Sequence, residues 1–273
     1  LGQNFITDRS VIEKIVEGSG AGENDLVIEI GPGIGVLTAE AAEAAGHVTA
    51  IEIDKKLIPI LGETLAGYDN IDIVNQDILK TLIEERRSTG KFTGDAMIMG
   101  NLPYYITTPI IMEILESGVK ASSITIMMQK EVADRIKASP GSKTYGILSV
   151  LIQAWYSVEY LFTVHEHVFN PPPKVKSAVI RMTRNATTDL GCDERLFKQV
   201  VKTTFNQRRK VLRNSIRPVL ADADHKAQQE GRQPKDHTEF LSAEIFGRRP
   251  EQLSVAEFVN LTNAVARETS ETA

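Results

Sequence analysis

Four consecutive residues, Asn101-Leu102-Pro103-Tyr104, combine groups that could hold and orient an aromatic amine. The Asn101 side-chain carbonyl and the Leu102 backbone carbonyl could accept the two hydrogens on the exocyclic nitrogen of adenine. That nitrogen is a poor nucleophile because its lone pair is delocalised into the ring, so it needs orientation from a protein. Pro103 fixes the backbone, and Tyr104 offers a ring on which an extracted base can stack. The tetrapeptide therefore indicates a site that orients an adenine amine for attack on a methyl donor.

A second aromatic residue, Phe169, lies just before the run Pro171-Pro172-Pro173 and is a candidate ring for sandwiching the base. Simpler interpretations stay open at this point. Asparagine and proline both favour turns, so the tetrapeptide could be an ordinary turn. Phe169 could be a core aromatic residue.

A glycine loop upstream predicts a nucleoside cofactor. The segment Gly31-Pro32-Gly33-Ile34-Gly35 follows a predicted strand and opens a helix, where glycines let the backbone approach a cofactor closely. Glu52 closes the next predicted strand, and a carboxylate there can accept both ribose hydroxyls. Asp77 follows the third strand and could accept a hydrogen bond from an adenine amino group, although a helix-capping aspartate is also common. Glu29 and Asp77 together favour S-adenosylmethionine over a dinucleotide.

The elements that must position these residues alternate between short β-branched runs and longer segments with helical periodicity. This pattern is typical of βαβ units in a doubly wound, Rossmann-like parallel sheet. The predicted strands are residues 26–30, 48–53, 71–74, 96–99 and 124–128, with helices at 36–45, 57–66 and 109–117. Two further strand-like runs, 158–164 and 177–182, predict an antiparallel hairpin at the sheet edge, joined through a rigid loop at the triple proline.

The character of the sequence changes after residue 185. Residues 186–191 are typical of a linker, and helical spacing then replaces the β-branched runs. Phe197, Val201 and Phe205 fall at i, i+4 and i+8. We expect a catalytic, cofactor-binding α/β domain over residues 1–185 and a small all-helical domain over residues 192–273.

The composition excludes several classes of protein. The chain has 273 residues, of which 42% are hydrophobic and 25% charged, as is ordinary for a globular protein. Its single cysteine, Cys192, permits no intrachain disulfide and no cysteine-based zinc cluster, which fits a reducing cytoplasm. We expect no bound metal. No apolar stretch of the sequence reaches the roughly 18 residues that a membrane-spanning helix needs. Leu1 already lies inside a motif, so we expect the chain to lack its true start.

One cluster of positive charge could bind nucleic acid, although the net charge is −5. The segment 205–217 contains no acidic residue and carries five cations: Arg208, Arg209, Lys210, Arg213 and Arg217. If the segment is one helix, Arg209, Arg213 and Arg217 lie on one face and could follow a phosphate backbone. The alternative is a solvated helix face, although such faces usually carry acids as well.

Together these motifs resemble those of the ribosomal small-subunit RNA adenine dimethyltransferases, the KsgA family, along nearly the whole chain. The matching segments include Leu1-Gly2-Gln3-Asn4-Phe5, Glu29-Ile30-Gly31-Pro32-Gly33, Asn101-Leu102-Pro103-Tyr104, Phe169-Asn170-Pro171-Pro172-Pro173 and Phe205-Asn206-Gln207-Arg208-Arg209-Lys210. The resemblance implies the class I methyltransferase fold with S-adenosylmethionine as cofactor. It also implies transfer of four methyl groups to two adjacent adenosines near the 3′ end of small-subunit rRNA, giving N6-dimethyladenosines during ribosome assembly.

The resemblance also places residues at the cofactor. It implies that the cofactor site is lined by Asn4, Ile6, Gly31, Glu52, Asp77 and Asn101. Gly33, Ile53 and Ile78 are expected to line it as well. From the residues alone, Asp8 is expected only to cap a helix that begins near Arg9. Tyr105 stands where some members of the family carry asparagine, and it adds a further aromatic ring near the target.

Three alternatives stay open. The large-subunit rRNA adenine methyltransferases that confer macrolide resistance share the catalytic domain, although residues 205–210 and the triple proline favour the small subunit. A mainly non-catalytic ribosome assembly factor could use the same fold to bind rRNA. The third alternative, an NAD-dependent dehydrogenase, would account for the glycine loop but not for residues 101–104. We expect a monomer whose partner is small-subunit rRNA in an immature ribosomal subunit, with no membrane association.

Overall fold

The computed structural model describes residues 5–80, 96–117 and 121–270. The chain divides into two compact units. The first contains the residues up to 133 together with residues 156–184, and the second contains residues 134–155 together with those from 185 onward. A boundary near residue 185 was expected, but residues 134–155, which were expected in the first domain, lie in the second unit.

A seven-stranded sheet forms the centre of the first unit. The strands of this unit are β1 (Phe5–Ile6), β2 (Leu26–Ile30), β3 (His47–Glu52), β4 (Ile71–Asn75), β5 (Met97–Asn101), β6 (Ser123–Gln129), β7 (Tyr156–Val164), β8 (Phe169–Asn170) and β9 (Ser177–Arg184). The large sheet has the order β4-β3-β2-β5-β6-β9-β7. Neighbours from β4 to β6 run parallel, whereas β9 runs antiparallel to both β6 and β7. The predicted Rossmann-like sheet with an antiparallel edge hairpin is confirmed.

Runs of apolar residues form the central strands because these strands are buried. Val27 and Ile28 of β2 are 0% and 3% exposed, so both faces of the sheet are covered at this strand. The first helices along the chain are α1 (Arg9–Ser19), α2 (Val36–Ala44) and α3 (Ile58–Thr64). Apolar side chains of α1 and α2 pack with those of the sheet in one hydrophobic core.

The N-terminal segment is fixed at two places. β1 and β8 form a separate antiparallel pair in which Ile6 lies opposite Phe169. Directly afterwards, Asp8 accepts a 2.9 Å hydrogen bond from the backbone N–H of Ser10 and caps α1, so the predicted helix start near Arg9 is confirmed. The residues between β7 and β9 are thus more than a rigid loop, because they supply β8.

The helix α4 (Tyr104–Ser117) begins five residues before the predicted start at Pro109. Proline is expected near a helix start because it lacks the N–H that an inner turn needs. Here the carbonyl of Pro103 accepts 3.1 Å hydrogen bonds from the backbone N–H of Ile106 and from the Thr107 hydroxyl, so the helix starts earlier. The predicted start is wrong because these contacts outweigh the single hydrogen bond that Pro109 removes.

The regular elements described in the second unit are helices. They follow α5 (Lys130–Lys137), which crosses into this unit, and are α6 (Ile147–Gln153), α7 (Glu194–Asn206), α8 (Leu212–Ser215), α9 (Arg217–Gln229) and α10 (Val255–Thr269), with short 3-10 turns between α9 and α10. Phe197, Val201 and Phe205 are all buried, as their helical spacing predicted. Within the described ranges, no helix combines the length and apolar character needed to cross a membrane.

Residues 134–155 belong to the second unit because of where Tyr145 packs. Tyr145 is fully buried, and its hydroxyl donates a 2.8 Å hydrogen bond to the carbonyl of Leu253. Its ring lies edge-on to the ring of Phe205, with centroids 6.1 Å apart. Both partners are distant in sequence, so no local pattern could assign this segment.

The segment that carries the five cations is not one helix, so the predicted stripe is wrong. Residues 207–211 form turns between α7 and α8. The N–H of Leu212 donates a 2.8 Å hydrogen bond to the carbonyl of Arg248, a tertiary contact that replaces helical continuation. Pro218, near the start of α9, lacks the N–H that would continue a helix from α8. Three cations expected on one face therefore lie in three different elements: Arg209, Arg213 and Arg217.

Candidate active site

A cavity of about 370 Å³ lies in the first unit, at the carboxyl ends of the central parallel strands. Ligands of open α/β sheets bind at this edge. The cavity gathers the residues predicted for cofactor and catalytic roles, apart from Asn4, which lies outside the described residues. The predicted residues that line it are Ile6, Gly31, Gly33, Glu52, Ile53, Asp77, Ile78, Asn101, Leu102, Pro103, Tyr104 and Phe169.

Glu52 fixes the glycine loop from the end of β3. Its Oε2 accepts a 3.2 Å hydrogen bond from the backbone N–H of Gly33, and its Oε1 accepts a 2.8 Å bond from the N–H of Asp54. The residue is only 2% exposed. An ionised carboxylate can accept about four hydrogen bonds, so Glu52 retains capacity for hydroxyl groups of a ligand. The side chain predicted to bind a ribose therefore also shapes the loop beside it.

Gly33 is required by its backbone conformation. Its φ of 61° lies in the left-handed region that other residues rarely adopt. A Cβ at this position would lie 3.4 Å from the ring of Phe5. Phe5 itself lines the cavity but was not among the predicted site residues. Its place in the motif at residues 1–5 was the available signal.

Glu29 is a buried carboxyl group that lines the cavity. It is 1% exposed, and its Oε2 has no hydrogen-bond partner. Burial raises the pKa of Glu29 to about 7, opposed by the Thr38 hydroxyl and assisted by the Glu52 carboxylate. A carboxyl group that ionises near neutral pH and has one oxygen without a hydrogen-bond partner is suited to a cationic ligand group.

Replacing Glu29 by glutamine is expected to change the pH dependence of stability. The folded-state pKa of about 7 lies above the usual 4.5, so folding favours the protonated form. The stability from this preference is complete below about pH 4.5 and is lost as the pH rises through about 7. In denaturant unfolding, E29Q should match the wild type near about pH 4 and exceed it near about pH 8, by up to about 3 kcal/mol. An equal difference at both pH values would contradict this.

Asp77 follows β4 and lines the cavity. Its Oδ1 accepts a 3.0 Å hydrogen bond from the backbone N–H of Leu79, which is the capping role that the sequence left open. Capping does not exclude recognition of adenine, because a carboxylate can accept further hydrogen bonds. Contact between Asp77 and an adenine amino group stays a prediction.

The tetrapeptide joins the end of β5 to the start of α4 and is therefore more than an isolated turn. Asn101 is the last residue of β5 and pairs with Met127 of β6, so the sheet fixes its backbone. Leu102 is 2% exposed, and Tyr104 is the first residue of α4. Two regular elements thus position the groups that were predicted to bind the amine.

The two aromatic candidates are held in different ways. The Tyr104 hydroxyl lies 2.7 Å from Oγ of the buried Ser177, at the start of β9. Burial raises the pKa of Tyr104, Ser177 lowers it and Glu166 raises it; the phenol stays neutral. Phe169 is 5% exposed and belongs both to the cavity wall and to the hydrophobic core. Its interpretation as a core aromatic residue therefore holds, and its contact with a base stays a prediction.

Apolar residues that complete the cavity wall were missed. Ile12 of α1 and Ile110 of α4 line the cavity and are 2% and 1% exposed. Their spacing marks them as buried helix positions, but no local signal distinguishes a cavity wall from the interior of a core.

The cations predicted to bind RNA lie in the second unit and have different surroundings. A guanidinium nitrogen of Arg208 donates a 3.3 Å hydrogen bond to the carbonyl of Ser142, and Nε of Arg213 donates a 3.0 Å bond to that of Leu241. These two arginines therefore stabilise the unit itself. Arg213 is nevertheless exposed, as are the remaining three cations: Arg209, Lys210 and Arg217.

Comparison with known proteins finds similarity along both units. A family model described as ribosomal RNA adenine dimethylase matches residues 1–245. The ribosomal RNA small subunit methyltransferase A of Bacteroides thetaiotaomicron is 50% identical over 266 residues, which cover 97% of this chain and 92% of that protein. Its counterpart in Geobacillus thermodenitrificans is 43% identical over 274 residues, which cover 97% and 89%.

Solved structures show the same fold. A dimethyladenosine transferase from Plasmodium falciparum superimposes with a TM-score of 0.82 at 23% identity, over 97% of this chain and 98% of that one. The 23S rRNA methyltransferase ErmE has a TM-score of 0.66 at 28% identity, over 94% and 100% of the two chains.

Proposed function

Because the chain belongs to the ribosomal RNA adenine dimethylase family, we propose that it dimethylates the N6 amines of two adjacent adenosines near the 3′ end of small-subunit rRNA, with S-adenosylmethionine as cofactor. The observation that carries this proposal is one cavity that joins Glu52 and the glycine loop to residues 101–104. Relatives with 43–50% identity are named as small-subunit methyltransferases, which favours the small subunit over the large-subunit alternative.

The residues around the glycine loop fit S-adenosylmethionine, which supplies an electrophilic methyl group on a sulfonium sulfur. Glu52 would accept the ribose hydroxyls, and Asp77 would accept a hydrogen of the adenine amino group. Ile53 is 65% exposed at the cavity and offers apolar surface to the adenine ring. The Glu29 oxygen that has no hydrogen-bond partner is suited to the positive charge on the methionine part of S-adenosylmethionine.

The tetrapeptide would hold the target base. The Asn101 side-chain carbonyl and the Leu102 backbone carbonyl would accept the amine hydrogens and turn the nitrogen lone pair towards the methyl donor. Tyr104 and Phe169 would hold the base between them. No strong general base is required, because the nitrogen becomes acidic only once it carries the methyl group and can then release its proton to water. Catalysis is mainly orientation.

To add a second methyl group, the same site must also bind an amine that is already methylated once. After the first transfer the amine retains one hydrogen, so Asn101 and Leu102 can no longer both be satisfied. The cavity must also admit the first methyl group. The second transfer therefore depends more on the aromatic walls, Tyr104 and Phe169, than the first does.

Isotope transfer tests this function. Labelled S-adenosylmethionine would be incubated with the full chain and with small-subunit particles that lack the modification, and the rRNA nucleosides would then be separated. Labelled N6-dimethyladenosine in small-subunit rRNA is the expected result. Its absence with an active preparation would overturn the proposal, and label confined to large-subunit rRNA would favour the macrolide-resistance alternative.

We also propose that the exposed cations of the second unit bind rRNA phosphates of an immature small subunit. The double charge reversal Arg209→Glu with Lys210→Glu should weaken binding to immature particles. It should also lower the slope of log affinity against log salt concentration by about 2, because about one phosphate contact is lost for each cation. Affinity for S-adenosylmethionine should not change. Binding would be measured at several salt concentrations.

A matched control separates a local site from general electrostatics. Arg195→Glu with Lys226→Glu reverses the same number of charges on α7 and α9, away from residues 207–211. Particle binding that is unaltered in the first pair, or weakened equally in both pairs, would contradict a local phosphate site.

We further propose that the chain acts as a monomer in the cytoplasm, where immature small subunits assemble. The single cysteine supports a reducing environment. A role in assembly does not compete with catalysis, because binding to an immature particle serves both.

A further inference from the structure

Tyr105 is an exposed aromatic residue at the rim of the cavity. At 71% it is the most exposed of the large hydrophobic side chains among the described residues. It lines the same cavity as Tyr104, its neighbour in the chain. The proposed catalytic steps do not use it, so its exposed ring is available to another part of the substrate.

The backbone that carries Tyr105 is held on both sides. The preceding Tyr104 is fixed through its 2.7 Å contact with Ser177. The carbonyl of Pro103 accepts hydrogen bonds from the first turn of α4, including one from the Thr107 hydroxyl. The position of the Tyr105 ring therefore depends mainly on its own side-chain rotamer.

A short exposed segment with two lysines precedes the residue that the Tyr104 hydroxyl contacts. Ser177, the partner of Tyr104, follows three exposed residues in the chain: Lys174, Val175 and Lys176. Cations for phosphates beside aromatic or apolar surface for bases are the combination that single-stranded nucleic acid sites use.

The substrate of the proposed function presents two adjacent adenosines. When one adenosine enters the cavity, its neighbour loses a stacking partner. An exposed aromatic side chain can replace that stack, because every base has a π face. Tyr105 follows Tyr104 in the first turn of α4, where consecutive side chains do not face each other, so its exposed ring can meet a base other than the one that Tyr104 holds.

We propose that Tyr105 is a positioning residue that stacks on the adenosine neighbouring the one in the cavity. The inference rests on the proposed function and deepens it by assigning a site to the second base of the pair. The stack holds the strand in register while Asn101 and Leu102 orient the amine that reacts.

The test compares Tyr105→Leu, which keeps apolar volume without a ring, with Tyr105→Phe, which keeps the ring. With unmethylated small-subunit particles, Y105L should raise KM about tenfold, which is within the range for loss of one base–aromatic stack, and should change kcat little. Y105F should behave like the wild type. Thermal unfolding and affinity for S-adenosylmethionine should be unchanged in both variants, because the side chain is exposed.

Particles in which one of the two adenosines is replaced by uridine, a weaker stacking partner, identify the base that is contacted. The wild type should methylate the remaining adenosine with a higher KM than in normal particles. Y105L should show little additional loss on the uridine particles, because the same contact is already missing. An equal fold-loss from the uridine replacement in wild type and Y105L would overturn the stacking contact.

A control substitution on another part of the first unit is Tyr68→Leu. Tyr68 is half-buried and its hydroxyl donates a 3.1 Å hydrogen bond to Glu43, and it does not line the cavity. Y68L should leave KM unchanged. A wild type that is active together with an unchanged KM in Y105L would refute this inference alone, whereas a wild type that forms no dimethyladenosine would refute the proposed function as well.

Discussion

Replacing Asn101 by alanine should lower kcat by about a hundredfold or more, which is the size of effect expected when a reacting group loses its orientation. The Asn101 side chain is one of two acceptors proposed for the amine hydrogens. Its backbone is fixed at the end of β5 by pairing with Met127, so the substitution should not disturb the loop. Rates would be measured at saturating S-adenosylmethionine, since Asn101 also lines the cofactor side of the cavity.

A second substitution at the same position tests the role of the acceptor. Asn101→Asp keeps an oxygen at the end of a side chain of similar size, so it should retain more activity than N101A. Binding to small-subunit particles should be largely intact in both variants. Full activity in N101A would mean that orientation by this side chain is not what accelerates the transfer.

Replacing Glu52 by glutamine should weaken binding of S-adenosylmethionine by about a hundredfold, because hydrogen bonds to a charged acceptor contribute about 1.5–3 kcal/mol each. Glutamine matches the shape of glutamate but converts one acceptor oxygen into a donor. If that donor faces the N–H of Gly33 or of Asp54, two donors meet and the loop is disturbed. If it faces the ribose, one of the hydroxyls loses its acceptor. Calorimetric titration would give the change in affinity.

Glu52→Ala tests the contribution of Glu52 to folding separately from its contribution to cofactor binding. It leaves the partly buried N–H groups of Gly33 and Asp54 without their acceptor, which should lower the free energy of unfolding by up to about 1–3 kcal/mol for each group. Glu63→Gln on the exposed side of α3 is the matched control and should change neither quantity. If E52Q binds the cofactor as tightly as the wild type, Glu52 serves only to hold the loop.

The parts of the fold that sequence patterns predicted correctly are those set by neighbours in the chain. Strand β2 has the predicted bounds, because its apolar run is bordered by loop-forming residues. Asp8 caps α1 as expected, because a cap needs only a side chain and an N–H two residues away. The cavity residues were found together because parallel strands end at one edge of a sheet.

Two of the errors share one physical cause, which is contact between residues far apart in sequence. Residues 134–155 join the second unit through partners such as Leu253, which no local periodicity can indicate. The cation segment breaks at residues 207–211 where Leu212 bonds to Arg248. The early start of α4 is a different case, because the local signal from Pro109 was itself misleading.

The division of the second unit into two stretches of chain has a consequence for synthesis on the ribosome. Tyr145 emerges long before Leu253, its hydrogen-bond partner. At about 5–20 residues per second, the intervening chain takes on the order of ten seconds to appear. Until the residues beyond 185 emerge, the buried side chains of α6, such as Val150, lack the native neighbours that this later stretch supplies. The second unit therefore has an incomplete core while the rest of the chain is being synthesised, and its apolar side chains are then available to chaperones.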